Sequence, residues 1–100
     1  LIFTGEAIDA AEALRLGIVN AVAAPEALMN EAYALARKIA AGPPVALQLA
    51  KRAIYRNLET DLRAGLEFET FAQGVCKGTE DAKEGIKAFI EKRAPVFRGK

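Results

Sequence analysis

Apolar residues recur at helical spacing in five stretches of the chain, and the residues between them mark where each stretch starts and stops. Leu1-Ile2-Phe3 is a short apolar run ended by Thr4-Gly5. Asp9 with Glu12 three residues on has capping-box spacing, and Gly17 stands where a left-handed helix terminus belongs, so a first helix is expected over Ala10–Leu16. The following Ile18-Val19-Asn20-Ala21-Val22 is β-branched enough for one short strand, although no second strand is evident to pair with it. Pro25 suits the first turn of a second helix, whose stripe of Leu28, Ala32, Leu35, Ala36 and Ile39 runs on to Ala41. Pro43-Pro44 opens a third, with Ala46, Leu49, Ala50, Ala53 and Ile54 inward and Gln48, Lys51, Arg52 and Arg56 on or near the polar side.

A break at Asn57–Asp61 precedes a fourth helix from about Leu62 to Val75. It is apolar on two sides, Leu62 and Leu66 on one and Ala64, Phe68, Phe71 and Val75 on nearly the opposite one. Both sides need cover, either because this helix is central to its own domain or because another domain or subunit packs on it. Glu67 and Glu69 sit two residues apart, about 200° around a helix, which does not make a shared acid/base site.

The last helix is expected from Glu80 to about Arg93, with Thr79 as N-cap, acids in its first turn, and Lys92 and Arg93 in its last. Ala82, Ile86, Phe89 and Ile90 form the stripe expected to face the core, and Lys83, Glu84, Lys87 and Glu91 the solvated side. On the flank, Gly85, Phe89 and Lys92 stand at spacings of four and three, bringing together open backbone, a ring and a point charge suited to a nucleotide's edge. The plain alternative is a core aromatic beside a solvated lysine. Arg93 is expected to turn back onto helix carbonyls or a carboxylate, and the Val96-Phe97 pair after Pro95 either docks on a neighbouring surface or frays. The fold class is therefore mostly α, with four to five helices and at most one short strand near 18–22. Residues 1–100 read as one helical domain, with 1–22 belonging structurally to a core that precedes it.

Composition narrows the chemistry. Fourteen basic residues face thirteen acidic ones, which gives no broad field for nucleic acid or an anionic membrane. A small nucleic-acid binder using Lys51, Arg52, Arg56 and the Arg98-Gly99-Lys100 tail is disfavoured on the same ground. The chain has no histidine, which excludes Ser-His-Asp and Cys-His nucleophile systems, His-ligated zinc and a histidine base. Its glycines are scattered singly rather than gathered in a phosphate loop, and the lone Cys76 reads as a small apolar residue. No metal site is expected. No apolar run approaches the length of a membrane span and no leader pattern opens the chain, so a cytoplasmic protein is expected. The start on Leu-Ile-Phe reads as a cut from a longer chain.

Three segments together resemble the enoyl-CoA hydratase/isomerase (crotonase) family: LIFTGEAIDAAEALRLGIVNAV, AGPPVALQLAKRAIYR and EGIKAFIEKRAPVFRGK. The resemblance implies the C-terminal helical region that builds a trimer or hexamer of acyl-CoA enzymes. The oxyanion hole and acid/base carboxylates would lie upstream, so no catalytic residue is expected here. It also implies that Phe89 and Lys92 reach the adenine and 3′-phosphate end of coenzyme A across a subunit boundary. Coenzyme A would enter as part of the substrate, with no resident cofactor. The rival reading from another class is a free-standing all-α protein-interaction module built on the two-sided fourth helix.

Overall fold

The structure, a computed structural model, describes all 100 residues: five helices and no strand. They are α1 (Ala10–Arg15), α2 (Leu28–Ala40), α3 (Pro44–Asn57), α4 (Leu62–Lys77) and α5 (Glu80–Ile90). Contacts group residues Leu1–Ala36 and Arg37–Lys100 into two compact units, described separately here. No helix is long and apolar enough to cross a membrane.

In the first unit the Asp9 carboxylate caps α1 by accepting the Glu12 N–H at 2.7 Å. Glu12 does not return the bond; its carboxylate pairs with Arg15 instead, at 2.6 Å, so only half of the capping box forms. Gly17 takes φ +72°, and the Gly17 and Ile18 N–H groups donate to the Leu14 and Ala13 carbonyls, closing the helix as a Schellman motif. The Val19 N–H also turns back to Ala13, at 3.4 Å. Those amides are thus spent on the helix end, and the strand expected at 18–22 does not form. α2 begins three residues later than expected, after a turn in which the Leu28 N–H donates to the Ala24 carbonyl. Despite its apolar stripe, α2 contains no buried residue.

In the second unit α3 packs on α4. Gly65, Phe68, Ala72 and Cys76 are the buried or half-buried side of α4 facing half-buried Ala46, Leu49 and Ala53 of α3. The seam takes in half-buried Phe68 from the edge of one expected apolar side and leaves much of both sides open, with Leu62, Leu66, Phe71 and Val75 exposed. Its other α4 residues are small. A Cβ on Gly65 would stand 3.0 Å from the Asn57 Oδ1, so a larger residue there would have to push the Asn57 side chain aside. The Arg56 guanidinium lies 5.1 Å from the Phe68 ring centre and covers the seam's end.

α5 keeps Lys83, Lys87 and Glu91 exposed and Ala82 half-buried as expected, but departs from the expected polarity elsewhere. Ile86, Phe89 and Ile90 are 64 %, 85 % and 73 % exposed, while Asp81 (4 %) and Ala88 (1 %) are buried and Glu84 and Gly85 half-buried. The physical reason is the tail. After Pro95 the chain folds back over α5: Val96 N–H donates to Glu84, Arg98 and Gly99 N–H donate to the two Asp81 oxygens at 2.7 Å, and Lys100 C=O accepts the Asp81 N–H. Phe97 seats against Gly85 and lines an apolar pocket of about 200 Å³ with Pro43, Ala46 and Cys76. Phe97 therefore docks rather than frays, and it docks on its own chain.

So small an interior leaves much uncovered. The chain exposes 8509 Å², against roughly 5,500 Å² for a self-contained folded protein of this mass. That is about 3,000 Å² more than such a protein would expose, and large apolar side chains on α2, α4 and α5 are among what is exposed.

Replacing Asp81 by Ala strands two amides that the tail buries. Asp81→Ala is expected to cost about 1–3 kcal/mol in urea unfolding of the complete protein and to release the tail to proteolysis. An unchanged midpoint and an uncut tail would contradict it.

Candidate functional site

The candidate site is the C-terminal end of α5. Phe89 lies on the last turn with its ring open to solvent. Lys92 lies beyond the helix rather than in its last turn, because α5 ends at Ile90 with Glu91 as C-cap. The Lys92 N–H donates to the Phe89 carbonyl at 3.3 Å and the Arg93 N–H to the Ala88 carbonyl at 3.0 Å, the two bonds of a Schellman motif. Lys92 itself has φ +54° and is the sole non-glycine residue at positive φ. α1 ends in the same motif with Gly17 in the equivalent place. Left-handed backbone costs an ordinary residue about 1–2 kcal/mol, so a lysine here is held against its preference.

What holds it is a pair of acids, Glu84 on the inner face of α5 and exposed Glu91 at its C-cap. The Arg93 guanidinium grips both Glu84 oxygens, at 2.6 and 2.9 Å, reaches Glu91 at 2.6 Å and donates to the Ala94 carbonyl. Arg93 thus turns back onto a carboxylate and a carbonyl, as its register suggested. This grip and the Val96 N–H hold the Glu84 carboxyl down to about 2, and the two acids raise Arg93 in return. The ion pairs around the helix end join Lys87 to Glu91 and Arg93 to Glu84 and Glu91; Lys92 takes part in none of them.

Of the three residues placed on one flank, the structure keeps two together. Phe89 and Lys92 stay open and joined through backbone, whereas Gly85 faces the ring of Phe97 and offers no backbone to a visitor. Glu67 and Glu69 have separate partners, Arg63 at 3.2 Å and the Asn57 amide at 3.5 Å, so no carboxylate pair forms. Asp81 and Glu84 were missed as organising residues. Their i, i+3 spacing beside Gly85 and Ala88 was the available signal, since small neighbours let a strap approach.

The sequence model of the enoyl-CoA hydratase/isomerase family matches residues 1–100. The chain belongs to that family. It is 50 % identical over 93 residues to the short-chain-enoyl-CoA hydratase of Clostridium acetobutylicum, covering 93 % of this chain and 36 % of that protein. It is 44 % identical over 99 residues to the (E)-benzylidenesuccinyl-CoA hydratase of Thauera aromatica, covering 99 % of this chain and 39 % of the relative. The crystal structure of the enoyl-CoA hydratase from Bacillus anthracis superimposes with a TM-score of 0.96 at 41 % identity, over 100 % of this chain and 39 % of that one. The chain thus spans well under half the length of these relatives.

Two outcomes follow from the geometry of the helix end. Replacing Lys92 by Gly removes the left-handed penalty and should raise unfolding stability by about 0.5–1 kcal/mol, while Lys92→Ala should leave it nearly unchanged; equal midpoints for all three would refute the strain. A carboxyl depressed from 4.5 to about 2 contributes stability that is fully present above about 4.5 and is lost as pH falls towards 2. Thermal midpoints measured across that window should fall less steeply for Glu84→Gln than for the unsubstituted protein, and parallel curves would contradict the clamp.

Proposed function

We propose that this chain is the C-terminal, subunit-joining and coenzyme A-binding portion of an enzyme that hydrates 2-enoyl-CoA thioesters. The observation that carries the reading is the open ring of Phe89 beside the left-handed Lys92 at the end of α5. A ring can lie on a purine face, and an ammonium with no carboxylate partner can meet a phosphate without first breaking an ion pair. Both contacts tolerate loose geometry, which suits a site completed when subunits come together.

The surplus surface supports the assembly part of the proposal. Open apolar side chains on α2, both flanks of α4 and the outer face of α5 need partners that this chain does not supply. A homo-trimer, or a hexamer of two trimers, would cover them, with coenzyme A bound across the boundary between subunits. The hydratase names of the relatives support hydration over isomerisation as the reaction. The oxyanion donors and the carboxylates that move water would come from outside these 100 residues, so this chain supplies binding and assembly. The proposal includes a cytoplasmic location and no resident cofactor.

An interaction made equally with substrate and transition state lowers KM and leaves kcat alone. Lys92→Ala in the complete enzyme should therefore raise KM for crotonyl-CoA about three- to tenfold with kcat within about twofold, and should leave KM for the dephospho-CoA thioester unchanged. A large fall in kcat at unchanged KM would overturn this role for Lys92.

A further inference from the structure

We propose that Glu84, through its grip on Arg93, is a positioning residue that sets Lys92 for the phosphate. The inference rests on the reading of Lys92 as the phosphate contact and goes one residue further back.

Lys92 lies between the end of α5, which carries Glu84, and a following segment tied back to the Glu84 carboxylate at two points, Arg93 and Val96. Arg93 holds both Glu84 oxygens at 2.6 and 2.9 Å, and the Val96 N–H reaches Glu84 at 2.9 Å. Glu84 itself is fixed on α5, three residues from buried Asp81, which holds the tail's last amides. The Schellman bonds put Lys92 at φ +54° although a lysine prefers the right-handed region, so the turn gains from the Glu84 ties that follow it. If Glu84 lets go, residues 91–96 can relax and the ammonium leaves the place where it costs least to meet an anion. Pre-setting a long, rotamer-rich side chain in this way lowers the ordering cost that binding would otherwise meet. The Glu84 carboxylate also stays out of the ligand's reach, because its oxygens are already taken by Arg93 and Val96.

A purely structural role would disturb the enzyme in ways unrelated to one phosphate, so the decisive readout is substrate discrimination. In the complete enzyme, Glu84→Ala should raise KM for crotonyl-CoA about threefold or more with kcat little changed, leave KM for crotonyl-dephospho-CoA as it was, and add nothing further in a Lys92→Ala background. Glu84→Gln, which keeps an acceptor for Val96, should restore part of the loss. If Glu84→Ala does not fold, Arg93→Lys carries the same test, since a lysine cannot make the forked contact. A KM increase of equal size with both thioesters, or effects of the two substitutions that simply add, would overturn the positioning role while leaving Lys92 in place. No effect of Lys92→Ala on either thioester would instead remove the phosphate contact, and the positioning role with it.

Discussion

The structure turns on two carboxylates of one helix face holding the backbone of a returning tail. Extended chain after a proline has N–H groups to satisfy and no neighbouring strand to take them. Asp81 and Glu84 supply those acceptors, three for three amides: Val96, Arg98 and Gly99. Once they do, the inner face of α5 is closed by its own chain, Phe97 fills the space that Gly85 leaves, and the large residues of α5 are forced to the outside. The position of Lys92 follows from the same contacts, since a chain that must reverse within a few residues of Ile90 needs one left-handed residue to do so.

Local signals were therefore legible and burial was not. Asp9 and Thr79 each accept a first-turn N–H as expected, and all five expected helices are present, although α2 starts at Leu28 rather than near Pro25 and α5 stops at Ile90 rather than Arg93. Periodicity also identified the stripe Ile86, Phe89 and Ile90 correctly as apolar, but it cannot say what covers a stripe. In this chain nothing does, whereas the supposedly solvated Glu84 lies inward under the tail. α4 teaches the same lesson: two bulky flanks drew attention, and the helix packs on α3 through Gly65, Ala72 and Cys76 between them, joined by Phe68 from the edge of one flank. The lysine at a left-handed position was invisible because sequence rules assign that position to glycine.

The two residues proposed to touch coenzyme A are distinct from those that hold the fold. Asp81, Glu84, Gly85, Arg93 and Phe97 face inward or are tied by hydrogen bonds, and the family relationship extends over all of them. Phe89 and Lys92 face outward and contribute little to the interior. A ring that is 85 % exposed and a lysine held in left-handed backbone are poor choices for stability alone, and that combination separates the end of α5 from the many other exposed apolar residues of the chain.

The most direct measurement is a crystal structure of the complete protein with a coenzyme A thioester bound. The expected result is the adenine against the Phe89 ring and the 3′-phosphate within about 3 Å of the Lys92 Nζ, with the Glu84 to Arg93 pair intact. Phe89 buried in a subunit contact, with the nucleotide bound away from the end of α5, would contradict the proposed site.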